Sequence, residues 1–162
     1  MMVVAVGITS EEVRSLASQA PAVRAGRLPG LKCLVVSGDA GLRGRLSTMS
    51  ELGGFVGCET PADALDLRSA VDGDYQLVIV DIARPVGDRV NDTVELAEEF
   101  ASRPGTLVVV CGSDDSVDEE LWARQLGAWL YLPGVCSSDS LTTLFVEARR
   151  LRDSAPAFAA AW

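Results

Sequence analysis

The sequence predicts an α/β fold, a doubly wound five-stranded parallel sheet preceded by a strand-helix extension. Three observations carry this expectation. Short runs rich in Val and Leu recur five times, each bounded by Gly, Pro or Asp. Three of them are apolar almost without alternation, as parallel strands covered on both faces must be. Helical periodicity fills the gaps between them, and strands that alternate with helices imply right-handed crossovers and a parallel sheet.

The strands are expected at "LKCLVV" (31 to 36), "GFVGCE" (54 to 59), "YQLVIV" (75 to 80), "TLVVVC" (106 to 111) and "AWLYLP" (128 to 133). The first helix is expected over 40 to 52, where Leu42, Leu46, Met49 and Leu52 share one face. The second, "PADALDLRSA", places a proline in its first turn and carries Ala64, Leu65 and Leu67. Residues 91 to 101 offer Val94, Leu96, Ala97 and Phe100. "DSVDEELWARQLG" sets acids against the positive end of a helix dipole and stops at Gly127. The last helix, "SSDSLTTLFVEARRL", opens on N-cap residues and is expected to bury Leu141, Leu144, Phe145, Ala148 and Leu151.

Composition limits what any motif can mean. A chain of 162 residues is one domain's worth, long enough to bury a core without staples. Apolar residues make up 48% of it and charged residues 23%, a globular balance. A net charge of −9, with arginines scattered among more numerous acids, argues against a nucleic-acid surface, which needs a basic patch. Cys33, Cys58, Cys111 and Cys136 form no C-x-x-C pair and the chain has no histidine. They read as reduced, mostly buried thiols of a cytoplasmic protein, with no metal implied. The opening "MMVVAVG" lacks a basic leader and is too short to span a bilayer. Neither secretion nor a membrane is expected.

In a doubly wound sheet, reactive groups collect at the carboxyl ends of the strands, beside the switch in strand order. Asp81 closes the third expected strand and Cys111 the fourth, while Ser37, Gly38 and Asp39 follow the first. With these residues the chain resembles a known family, the receiver domain of two-component response regulators, of the CheY-like, flavodoxin-like type with strand order 2-1-3-4-5. The resemblance runs from residue 31 to about 152. "LVIVDIARPVGD" is similar to the family's third strand, with Asp81 at the phosphoacceptor position and Pro85 in its usual place after it. "LVVVCGSDD" resembles the fourth-strand segment and "GAWLYLPGV" the fifth, with Tyr131 at the aromatic switch position.

Phosphoryl transfer to a carboxylate gathers several negative oxygens, so a divalent cation and a positive side chain must neutralise them. The helpers that the resemblance implies are mostly missing. Ser37 and Gly38 stand where the family has an acidic pair, and Asp39 follows one position later. Cys111, a weak donor, matches a Thr or Ser, and Ser113 could substitute only if the strand end were shifted. Gly134 matches the fifth-strand lysine, and the only lysine in the chain is Lys32. Asp81 is therefore read as a vestigial phosphoacceptor, a solvated acid at a strand end. Arg84 either pairs with it, holding the loop in one state, or points into water, the reading favoured slightly.

Two other chemistries fit less well. "GDAGLRG" supplies Gly38, Gly41 and Gly44 for a phosphate-cradling turn, but its spacing is not the dinucleotide fingerprint and two of its glycines fall in a predicted helix. Cys111 as a nucleophile has no histidine to serve it. Function is then expected in surfaces. The resemblance maps a signalling face to about residues 117 to 151, where Trp122, Trp129 and Tyr131 fall, as core or as interface anchors.

Outside the resemblance lie an N-terminal extension (1 to 30), with a capping-box pattern at Thr9 and Glu12, and an apolar tail (153 to 162) carrying Phe158 and Trp162. The tail either docks on the domain or is captured by a partner. The sequence thus points to a stand-alone, degenerate receiver-like module of a bacterial, cytoplasmic signalling pathway. It is expected to act through protein partners without phosphorylation, enzymatic activity or cofactor, with homodimerisation left open. The competing readings are a receiver still phosphorylated on Asp81 and a small-ligand or nucleotide sensor.

Overall fold

A computed structural model describes residues 30–87, 90–134 and 138–154. Within them the chain runs β1 (Lys32–Val36), α1 (Ala40–Leu52), β2 (Gly57–Glu59), α2 (Ala64–Val71), β3 (Leu77–Asp81), α3 (Val90–Ser102), β4 (Leu107–Gly112), α4 (Val117–Leu126), β5 (Leu130–Pro133) and α5 (Ser138–Ser154). The five strands form one sheet of order β2-β1-β3-β4-β5, every pairing parallel. The doubly wound expectation holds, including its strand order. The expected N-terminal strand-helix extension with Thr9 and Glu12, Cys136, and the tail residues Phe158 and Trp162 lie outside the described residues.

Burial explains the architecture. β3 is buried at all five positions, so its residues alternate between two cores instead of between core and water. Val78 and Val80 face a cluster completed by Leu67 and Ala70 of α2, Leu96, Ala97 and Phe100 of α3, and Ala123 of α4. Leu77 and Ile79 face the other cluster, built with Leu42 and Leu46 of α1 and Leu141, Leu144 and Phe145 of α5. Three helices thus cover one face and two the other, the arrangement that apolar strands without alternation require. None of the described helices is long and apolar enough to cross a membrane.

The helix ends follow local chemistry. Asp39 caps α1 by accepting the Leu42 N–H at 2.9 Å, and Ser116 caps α4 by accepting the Glu119 N–H. Gly127 ends α4 in the left-handed region at φ 85°, where a side chain would be strained.

Several boundaries differ from the sequence reading. β2 is only Gly57–Glu59, because the chain leaving α1 first turns through Gly54 at φ 84°. That turn sinks Phe55 into the core, edge-on to Phe145 at 5.5 Å between ring centres. Pro61 is not in the first turn of α2. The extended backbone of Asp63 and its side chain, which accepts the N–H groups of Leu65 and Asp66 at 2.9 Å each, start the helix at Ala64 instead. Leu65 and Leu151 are exposed, since each lies on the helix side turned from the sheet.

Candidate functional site

The carboxyl ends of β1 and β3 are adjacent, and each delivers one element of a polar cluster. Asp81 is the last residue of β3 and Ser37 follows β1 directly. Asp81 is 1% exposed, so the expectation of a solvated acid is corrected: it ends the central strand of the sheet, between β1 and β4. A buried carboxylate must be hydrogen-bonded or paired, and this one is both. Its Oδ2 accepts the Ser37 hydroxyl at 2.7 Å and its Oδ1 accepts the Arg84 backbone N–H at 3.1 Å. The Arg84 Nε lies 3.2 Å from Oδ2.

Arg84 does not point into water. Its guanidinium spans two acids, with Nε on Asp81 and a terminal nitrogen 2.6 Å from Asp39 Oδ2. The planar fork of arginine can hold two carboxylates at once, which a point-charge ammonium cannot. Backbone contacts tighten the same clip: the Gly38 N–H donates to the Arg84 carbonyl at 2.6 Å, and the Asp39 N–H donates to the Ser37 hydroxyl at 3.1 Å. Arg43, one turn into α1, donates to the Ser37 carbonyl at 2.7 Å.

Asp39 has two roles because it has two oxygens. Oδ1 caps α1 while Oδ2 binds Arg84. The Leu42 N–H, helped by the Gly41 N–H and the Arg84 charge, holds its carboxyl below the ordinary carboxylate range. The stabilisation linked to this lowering is complete above the ordinary carboxylate pKa. It is lost as the pH falls through the lowered value.

Gly38 is required by close approach. A Cβ there would stand 2.6 Å from the Pro85 carbonyl and 3.2 Å from that of Arg84, both backbone atoms. Gly38→Ala is expected to push the 84–85 segment outward at a cost of about 1–2 kcal/mol, measured by denaturant unfolding.

The other sequence-predicted residues sit beside this cluster or apart from it. Cys111 is the register partner of Asp81 on β4 and is buried, and its backbone carbonyl accepts the Ile82 N–H at 2.9 Å. β4 continues one residue past it to Gly112. Ser113 is not drawn toward Asp81, because its N–H and hydroxyl are committed to the Glu119 carboxylate at 2.7 and 3.3 Å. Gly134, at φ 67°, is tied to β4 through its N–H on the Gly112 carbonyl. A Cβ at 134 would fall on the Asp114 carboxylate. An acid therefore occupies the corner where the resemblance expects an ammonium. Tyr131 crosses the same corner, its hydroxyl 3.1 Å from the Ser113 carbonyl and 3.2 Å from Glu119. Burial and the Glu119 carboxylate push its phenol up to about 12.

Sequence reasoning missed Asp114 and Glu119, since nothing in their spacing ties them to Gly134 and Tyr131. The Arg84 contact was an open alternative, and its i,i+3 spacing from Asp81 was the signal for it. Trp122 packs on the three-helix side and Trp129 on the two-helix side, both partly buried.

The chain matches no family model and no curated protein. Solved structures do match. A CheY-like response regulator receiver domain protein from Methanospirillum hungatei JF-1 is similar with a TM-score of 0.63, at 19% identity over 77% of this chain and 98% of that one. The fold is that of a receiver domain. CheY4, a chemotaxis response regulator of Vibrio cholerae, is similar at 18% identity and a TM-score of 0.59, covering 74% of this chain and 99% of its own. An orphan response regulator of H. pylori gives 18% and 0.59, over 73% and 95%.

On a receiver fold the cluster around Asp81 is where a divalent cation would be sought. Magnesium needs oxygen ligands that are open to it. Here each oxygen of Asp81 and of Asp39 already takes a hydrogen bond or the guanidinium. No group of three or more metal-ligating side chains occurs among the described residues. The residues present do not fit a magnesium ion while Arg84 stays in place. The glycine-rich turn offers no phosphate cradle either, for Gly41 and Gly44 lie inside α1 and the Gly38 N–H is engaged by the Arg84 carbonyl.

Proposed function

We propose that this chain is a receiver-type signalling module that works through protein contacts without phosphorylation. The single observation that carries the reading is the Arg84 guanidinium bridging Asp81 and Asp39. Phosphorylation of a carboxylate needs an accessible oxygen nucleophile and cations arranged around the incoming phosphoryl group. In this chain the cation is built into the loop after the acid and already neutralises it.

A module with a closed pocket must present a fixed surface. The face made by α4, β5 and α5 suits this role. It exposes Val117, Leu121, Leu130 and Val146, and it carries a groove of about 500 Å³ lined by Trp129, Leu130, Leu132, Leu141 and Leu144 among others. Aromatic and aliphatic side chains grouped at an edge strand are what protein interfaces use as anchors. Tyr131, pinned to Ser113 and Glu119, holds this face in one arrangement. The partner is a protein of a two-component-type pathway, in keeping with a charge of −9 that disfavours nucleic acid. No enzymatic step or cofactor is assigned, and the setting is the bacterial cytoplasm.

The test is intact-mass spectrometry after incubation with acetyl phosphate and magnesium. The expected result is an unchanged mass for the native chain. A phosphoryl adduct that disappears in Asp81→Asn would establish the active-receiver alternative instead.

A further inference from the structure

Cys33 and Cys58 are 25 positions apart in sequence, yet the sheet makes them direct partners: Cys33 of β1 is in register with Cys58 of β2. Register partners on parallel strands point to the same face. Both thiols accordingly join the core under α1 and α5, Cys33 fully buried and Cys58 half-buried at the sheet edge. Neighbouring strands lie about 4.8 Å apart, inside the roughly 4.4–6.8 Å Cα separation that a disulfide spans.

The surroundings distinguish the two sulfurs. The two thiols are neighbours across the β1–β2 pairing, and Ser47 and Ser50 on the inner side of α1 lie beside Cys58, the Ser50 hydroxyl donating to the Ser47 carbonyl at 2.7 Å. The Cys33 hydrogen bond, then those of Ser50 and Ser47, hold the Cys58 thiol below its ordinary range against burial and the nearby Glu51 charge. The Cys33 thiol is pushed up, first by that same bond to Cys58 and then by burial. Cys58, with the lowered thiol and the less buried position at the sheet edge, is therefore the better nucleophile. Cys33 stands behind it.

We infer that Cys33 and Cys58 form a peroxide-oxidisable dithiol, with Cys58 the attacking and Cys33 the resolving thiol. In the first step the Cys58 sulfur attacks one oxygen of hydrogen peroxide. An S–O bond forms, the O–O bond breaks, and the departing hydroxide takes the thiol proton as water, leaving a sulfenic acid. In the second the Cys33 sulfur displaces that hydroxyl. An S–S bond forms and the hydroxyl leaves as a second water with the Cys33 proton. Two thiols lose two electrons in total and one peroxide gains them. A thiol reductant reverses the change by exchange. The product staples the three-residue edge strand β2 to β1, on the side of the sheet switch away from β4 and β5.

The full-length protein would be treated with hydrogen peroxide, alkylated, digested and mapped by mass spectrometry. The expected product is a peptide pair joined through Cys33 and Cys58 that disappears after reduction and is absent in Cys58→Ser. In Cys33→Ser, Cys58 should instead be trapped as a sulfenic acid by dimedone. Two outcomes overturn the assignment: Cys33 and Cys58 both remain fully alkylated while Cys111 or Cys136 is oxidised, or native Cys58 accumulates as the dimedone adduct with no link to Cys33. The crosslink itself and both overturning outcomes are read in the native protein, so a folding defect in either variant leaves the native result decisive.

Discussion

Arg84→Ala should lower the unfolding free energy by about 2–3 kcal/mol, the largest loss expected from any single change at the polar cluster. Removing one partner of a fully buried pair costs about 3–5 kcal/mol, because the remaining charge is left uncompensated. Two features reduce that figure here. The Asp81 carboxylate keeps the Ser37 hydroxyl and the backbone N–H of residue 84, and the Arg84 side chain is 35% exposed, so water can replace part of it. Arg84→Lys should recover only part of the loss, since an ammonium cannot bridge Asp81 and Asp39 together. Urea unfolding of the native protein and both variants measures this. A loss below about 0.5 kcal/mol, the ordinary range for a surface change, would mean that the guanidinium is not holding the two acids.

Phe145→Ala should cost more, about 3–5 kcal/mol, while leaving the Asp81 cluster intact. The ring is fully buried where α1, α5 and the Gly53–Phe55 turn converge. It meets Phe55 at an interplanar angle of 75°, an edge-to-face contact that adds to burial. Gly53 lets it approach, for a Cβ at 53 would stand 2.5 Å from the Phe145 Cβ. Few neighbours can collapse into the space, since the helices around it are fixed by their own strands. The same urea measurement applies. The two substitutions together separate what holds the fold from what holds the pocket: being far apart in partners, their costs should add within about 0.5 kcal/mol.

The cluster at Asp81 and the corner at Tyr131 are held in a similar way. In a receiver fold the loop after β3 and the corner at β4 and β5 lie beside the same strand ends. Here the first is clipped by Arg84 and the second by Tyr131, Ser113 and Glu119. Both clips carry charged side chains, Arg84 with Asp81 and Asp39 in the first and Glu119 in the second. Under the proposed function any control of the module would act elsewhere, and the Cys33–Cys58 pair at the opposite edge offers one such place.

Secondary structure was legible wherever a pattern was long or a cap was strong. The range of α1 follows from the helical spacing of Leu42, Leu46, Met49 and Leu52, and the end of α4 from Gly127. The beginning of α2 was misplaced because Asp63 competes with Pro61 for the same end, and side-chain capping wins. β2 was overextended because an apolar Phe55 reads as strand when it is a core plug in a turn.

The sequence by itself determined the doubly wound sheet, since apolar strands without alternation must be covered on both faces, and it placed Asp81 at a strand end, where the resemblance to receiver domains implies helpers that this chain lacks. Tertiary structure alone decided that this acid is buried, that Arg84 bridges it to Asp39, that Asp114 fills the corner at Gly134, and that Cys33 meets Cys58. Most of these contacts join residues of different strands or of the loops that follow them, distant in sequence. Periodicity reports which face a residue is on, whereas register and crossover geometry decide which distant side chain it faces.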